Sequence, residues 1–222
     1  MKNEIAILIA AGKGERMRPV TEHTPKPLVA VRGVPMIETV IGGLLRRGVK
    51  KIYITVGYLG EKFAYLTEKY PSVRLIENPE YTGKNNISSI YAAREVMGAC
   101  DCFVCEADLC VSDPSIFDAE LQGSCYFGKF VEGHSEDWLF DLDEAGRITR
   151  VGKGGTDKYN MCGICYLTAA DAKTVRDAVL AAYASEGHEQ KYWDEIVDEN
   201  LGKIEMTVHP VPPTAIVDRS RL

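Results

Sequence analysis

The chain has 222 residues, 45% of them hydrophobic and 26% charged, with a net charge of -6. That length predicts a single domain over 1–222 with a sizeable core. The negative balance lacks the positive field that nucleic acid or an acidic membrane surface requires, so neither is expected as a partner; a local anion site stays compatible with it.

In chain order, the first apolar run, 5–11, stops at Gly12-Lys13-Gly14-Glu15. It is too short for a bilayer and has no small-residue cleavage region, so it predicts a buried strand over 5–10 and not a targeting segment. A Gly-rich loop follows, and Pro19, Pro25 and Pro27 forbid a long helix there. A short strand is expected over 28–31. Pro35 then opens a helix whose Met36, Ile37, Val40, Ile41, Leu44 and Leu45 share one face, and Gly48 ends it. Strands over 51–56, 73–76 and 102–107 alternate with helices over 61–70 and 87–97.

The second half is less regular. Strands are expected over 125–131, 138–142, 147–151 and 163–167, with a hairpin turn at Asp143-Glu144-Ala145-Gly146. Helices over 169–184 and 192–201 and a strand over 204–209 complete the chain. The alternation implies an α/β fold: a doubly wound, mostly parallel sheet with helices on both faces, the later strands forming a small β extension. Ligands of such sheets sit beyond the C-terminal strand ends. The loop after the first strand and Asp108 after the strand over 102–107 both fall there.

The loop reads Ala10-Ala11-Gly12-Lys13-Gly14-Glu15-Arg16-Met17-Arg18. Two glycines after a buried strand let backbone N–H groups approach an anion, and Lys13, Arg16, Arg18 and Lys26 add positive charge. Met17 stands where a dinucleotide fingerprint needs a third glycine, and no Gly-Lys-Ser/Thr of a P-loop follows. Taken alone, a Gly-x-Gly is as often an ordinary turn.

The longer pattern, Leu8-Ile9-Ala10-Ala11-Gly12-x-Gly14-x-Arg16-Met17-x-Pro19 and then Thr24-Pro25-Lys26-Pro27-Leu28, resembles the signature of nucleotidyltransferases that make nucleotide sugars. Asn78-Pro79-x-Tyr81, Asn85-Asn86-Ile87-x-Ser89, Glu106-Ala107-Asp108, Glu136-Asp137-Trp138 and Tyr192-Trp193-Asp194 narrow the resemblance. Together they look like the bacterial CTP:phosphocholine cytidylyltransferases and their relatives, which include enzymes activating 2-aminoethylphosphonate.

The resemblance implies a nucleotide-diphospho-sugar transferase-like fold and transfer of a cytidylyl group from CTP to a small cationic phosphate or phosphonate, phosphocholine being favoured. It implies nucleotide contacts from Ala10, Ala11, Gly12, Lys13, Gly14, Glu15, Arg16, Lys26, Tyr81, Asn86, Ser88 and Ala107, and a Mg²⁺ ion held by Asp108 and Asp194. Lys26, Arg16, Asp108 and Asp194 are the implied catalytic set. Trp138, Asp137, Lys153 and Tyr192 are the implied acceptor contacts.

The residue chemistry agrees with those roles. Mg²⁺ prefers one or two carboxylates together with phosphate oxygens and water. Singly, Asp108 also reads as a loop cap, and Asp194 as helix N-terminal charge. Trp138 and Tyr192 offer faces to a quaternary ammonium, or pack as core. Lys153, in Gly152-Lys153-Gly154-Gly155, suits a phosphonate or a second phosphate.

Cys102 and Cys105, three apart on one predicted strand, point to opposite faces, as do Cys162 and Cys165. The seven cysteines, an odd set, are therefore read as reduced buried thiols of a cytoplasmic protein and not as a zinc site. His23, His134, His188 and His209 are scattered and no Gly-x-Ser-x-Gly elbow is present, so no covalent intermediate is expected.

Two features depart from the choline pattern. The tail Ala215-Ile216-Val217-Asp218-Arg219-Ser220 carries apolar and basic residues where the resemblance calls for an acidic one facing the ammonium. The chain also stops at Arg221-Leu222, which leaves open a fused or cooperating second enzyme, and a homodimer is left open as well. The alternatives are a 2-aminoethylphosphonate or phosphoethanolamine cytidylyltransferase, a sugar-1-phosphate nucleotidyltransferase and a non-catalytic CTP-sensing domain.

Overall fold

The computed structural model describes residues 3–217; the reading of the tail at Asp218, Arg219 and Ser220 lies outside the described residues. The first half contains strand β1 (Glu4–Ile9), the small pair β2 (Ala30–Val31) and β3 (Val34–Pro35), helix α1 (Met36–Arg47), β4 (Lys51–Val56), α2 (Tyr65–Lys69), β5 (Val73–Glu77), α3 (Ile87–Ala92) and β6 (Asp101–Glu106). After the short β7 (Cys110–Val111) come β8 (Cys125–Leu142), β9 (Ile148–Leu167), α4 (Ala169–Tyr183), α5 (Trp193–Asp198), β10 (Thr207–Pro210) and β11 (Ile216–Val217).

The main sheet has seven strands in the order β10-β8-β9-β6-β1-β4-β5. β1 pairs in parallel with β4 and β6, β4 with β5, and β8 with β10. Only β9 runs against its neighbours in this sheet. From β1 the chain moves out to β4 and β5, then crosses back to β6 on the other side. That reversal opens a crevice at the C-terminal ends of β1 and β6.

The apolar run of β1 is apolar because both faces are covered. Ala6 and Leu8 pack with Ile37, Val40, Ile41 and Leu44 of α1 on one side. Ile5 and Ile7 pack with Ile87 and Ile90 of α3, Val175 and Val179 of α4 and Ile196 of α5 on the other. The paired cysteines divide as alternation requires: Cys102 and Cys165 lie in the second core, Cys105 and Cys162 in the first.

Several boundaries differ from expectation. The strand expected over 28–31 is a 3₁₀ turn, Lys26–Leu28, followed by β2. The helix expected over 61–70 is a 3₁₀ turn, Gly60–Phe63, running into α2, and α3 ends earlier than 97. The largest change is in the second half, where four expected strands merge into two long ones, β8 and β9. The hairpin folds back on itself, so Asn160 faces both Lys129 and Leu139, and Tyr159 faces both Phe130 and Phe140. Bulged register shifts between Val131 and Trp138 carry the polar segment through without breaking it. Among the described residues no helix is long and apolar enough to cross a membrane.

Candidate active site

The loop after β1 begins anchored. The Ala10 N–H donates to the Thr55 carbonyl at 3.0 Å, and the Ala11 carbonyl accepts from the Tyr58 N–H at 3.1 Å. Both alanines are buried, so the chain is held against β4 until Gly12, where it emerges. Gly14 takes a left-handed conformation with φ +63°, and Thr21 Oγ1 donates to its carbonyl at 2.9 Å. Glu15, Arg16 and Arg18 are exposed, and Glu15 pairs with Arg18 at 3.6 Å. Lys13 lies half-buried beside Gly14 in the chain.

Behind this loop the Lys26 ammonium forms an ion pair with the Asp108 carboxylate, both side chains mostly shielded. The Ala107 N–H donates to the Ile9 carbonyl at 3.2 Å, which fixes the turn after β6 beside the exit of β1. Two expected positions, one following each strand, therefore meet.

Asp194 sits near the start of α5 and is only 4% exposed. Tyr126 Oη donates to its Oδ1 at 3.0 Å. Burial pushes the carboxyl up to about 7, against the lowering effect of that hydrogen bond. A small pocket brings it together with Glu106, Ile9, Val104, Met161 and Gly163. Glu106 was not singled out as a site residue by sequence. Its signal is an acidic residue closing an apolar strand, on the same face as Val104 two positions earlier. Gly163, with φ +74°, makes room for it: a β-carbon there would stand 3.1 Å from Glu106 Oε2.

The segment expected near the base is tightly knit. Asn78 Nδ2 donates to Ser88 Oγ at 2.9 Å, and Ser88 Oγ donates to the Asn85 carbonyl at 2.8 Å. Ser88 is buried, so its hydroxyl serves this internal network. Asn86 Oδ1 accepts from the Trp193 N–H at 2.9 Å and so ties the segment to the start of α5 and to Asp194. Tyr81 covers Gly57, where a β-carbon would come within 2.6 Å of the ring.

Trp138 and Tyr192 do form an aromatic pair, with centroids 5.4 Å apart and planes at 66°. Lys153 stands opposite Trp138 across the β8–β9 ladder. Its Nζ lies 5.4 Å from each of the two ring centroids. Asp137 is exposed on the same strand as Trp138, and neighbouring Glu136 pairs with His134 at 2.6 Å.

Contacts thus run from the Gly-rich loop through Lys26 and Asp108, and from Glu106 through Asp194 and Trp193 to Asn86. Tyr192, Trp138 and Lys153 stand at the Asp194 end.

Comparisons with known proteins agree with this geometry. Residues 6–125 match the MobA-like NTP transferase domain. The 2-aminoethylphosphonate cytidylyltransferase of Lancefieldella rimae is 51% identical over 96% of this chain and 87% of its own length. The choline-phosphate cytidylyltransferase of Streptococcus pneumoniae is 33% identical over 96% of this chain and 91% of its own. The solved structure of the Streptococcus pneumoniae CTP:phosphocholine cytidylyltransferase superposes with a TM-score of 0.90 at 32% identity, covering 98% of this chain and 94% of that one. A crevice at the β1/β6 reversal, a Gly-rich loop packed on a lysine, and relatives matching nearly end to end converge on one conclusion: the chain belongs to the MobA-like NTP transferases and, within them, to the cytidylyltransferases.

Proposed function

We propose that the chain joins CTP to 2-aminoethylphosphonate, releasing pyrophosphate. The relative that is 51% identical over 96% of the chain carries this reading, against 33% identity over the same share for the choline-phosphate relative. A phosphonate oxygen, already ionised at neutral pH, attacks the α-phosphorus of CTP. The new P–O bond forms as the bond to the β-phosphate oxygen breaks, and no general base is needed.

In this reading the N–H groups of 11–16, with Lys13 and Arg16, cradle the triphosphate, and Lys26 neutralises charge growing on the departing pyrophosphate. Tyr81, Asn86, Ser88 and Ala107 shape the nucleotide side, Ser88 and Ala107 by holding backbone in place. Mg²⁺ fits the carboxylates present. Asp194 is a buried carboxylate whose hydrogen-bond partner is a neutral phenol, it shares a pocket with Glu106, and Asp108 follows two residues later. One or two carboxylates completed by phosphate and water is the set this ion favours. Asp108 and Asp194 are proposed to hold it, and the ion supplies charge neutralisation at the triphosphate. The free thiols support a cytoplasmic setting.

Phosphocholine is the second reading, favoured by the aromatic pair Trp138–Tyr192 and by the choline-phosphate relatives. The test is pyrophosphate release with each nucleoside triphosphate and Mg²⁺, offering 2-aminoethylphosphonate, phosphocholine, phosphoethanolamine and glucose-1-phosphate. CTP with 2-aminoethylphosphonate should give the highest kcat/KM. A higher value with phosphocholine selects the second reading, and no release with any pair leaves a CTP-binding domain.

A further inference from the structure

The Trp138–Tyr192 pair offers two aromatic faces, and a cation from the protein itself already stands before them. The Lys153 ammonium lies 5.4 Å from both centroids, within the range of cation–π attraction. The placement is built into the fold, because Lys153 is the ladder partner of Trp138 and Tyr192 is fixed at the start of α5. The Tyr192 N–H donates to Glu195 Oε2 at 2.7 Å, which holds that end of the helix in place. Lys153 itself is exposed, so its side chain is free to leave.

We propose that Lys153 is a specificity-determining residue that keeps a quaternary ammonium out of this aromatic pair. A trimethylammonium group has no N–H to donate and depends on aromatic faces for its recognition. To reach these faces it must displace Lys153 or sit beside a like charge. A primary ammonium does not need them: it carries three donors and is held by carboxylate or carbonyl oxygens. Lys153 therefore penalises phosphocholine and spares 2-aminoethylphosphonate. The inference concerns the acceptor side of the reaction proposed above and rests on that reading for its substrate class.

Lys153→Met keeps an unbranched side chain, one atom shorter, and removes its charge, while Lys153→Arg keeps the charge. The readout is the ratio of kcat/KM for phosphocholine to that for 2-aminoethylphosphonate, which a general loss of folding or CTP binding leaves alone. The ratio should rise about two- to five-fold in Lys153→Met, the size expected when an exposed cation–π contact stops competing. It should stay near the wild-type value in Lys153→Arg. An unchanged ratio in Lys153→Met, or an equal rise in Lys153→Arg, overturns the inference.

A second measurement needs no turnover. Choline chloride is titrated into each protein while broadening of its methyl resonance is followed. Broadening should be stronger with Lys153→Met than with wild type and weak again in Lys153→Met/Trp138→Ala. Equal broadening by wild type and Lys153→Met sinks the inference even if the enzyme is inactive on both acceptors. Inactivity with the expected choline binding sinks the proposed reaction alone.

Discussion

Gly14 and Lys26 are pressed together in front of the sheet: a β-carbon on Gly14 would stand 2.9 Å from Lys26 Cβ and 3.1 Å from Thr21 Cγ2. The phosphate loop therefore leans on the lysine that pairs with Asp108, and the glycine is needed both for its φ of +63° and for this close approach.

The Gly14→Ala variant should lose about 1–2 kcal/mol from the left-handed backbone alone. For a chain of this size that is a fall in Tm of roughly 2–8 °C. Gly12, where a β-carbon meets nothing within 4 Å, is the control, and Gly12→Ala should hold its Tm. Equal melting of the two variants by calorimetry would show that the Gly14 contact does not constrain the loop.

Lys26→Ala should lower kcat by about 100-fold, as loss of one preorganised charge-stabilising group does elsewhere. The KM for CTP should change less, since the charge on pyrophosphate develops in the transition state. A rise in KM with kcat intact would reassign Lys26 to ground-state binding.

Asp194→Asn should abolish most turnover while leaving Tm equal or higher without metal. An uncharged isostere replaces a carboxylate whose ionised form is disfavoured by burial. Mg²⁺ titration followed by thermal melting with CTP present should stabilise the wild type and leave the variant unmoved. An Asp194→Asn enzyme with near-normal kcat would remove Asp194 from the metal site.

The pH dependence of stability should trace in part to Glu38. Burial raises its pKa, but hydrogen bonds from Lys69 at 2.5 Å, Tyr70 at 2.6 Å and Tyr65 at 3.0 Å outweigh burial and hold it below the ordinary 4.5. A depressed folded-state pKa contributes stability that is present above the unfolded value and is lost as pH falls through the folded one. The acid limb of a Tm–pH curve should accordingly be less steep in Glu38→Gln than in wild type below pH 4.5. Superimposable limbs would dismiss the contribution.

Much was legible in the chain. Local hydrophobic patterns give β1, α1, β4, β5 and β6 because each buries a face set by its own periodicity, and the Gly-x-Gly loop carries its backbone requirement in its residue types. The division of Cys102 from Cys105 and of Cys162 from Cys165 follows from strand alternation alone. What the sequence could not express is pairing between distant segments. Nothing local says that Lys26 meets Asp108 or that Asn86 accepts from the Trp193 backbone. Nor does it show that Glu106 shares a pocket with Asp194, because each depends on the order β9-β6-β1. The turn of the β8–β9 hairpin at 143–146 was legible, but its full length was hidden for a related reason: its exposed middle lacks the apolar alternation that marks a strand, and its ladder is held by partners across the fold-back. That register placed Lys153 before Trp138 and Tyr192, turning two aromatic residues that looked open to a cation into a pair already facing one.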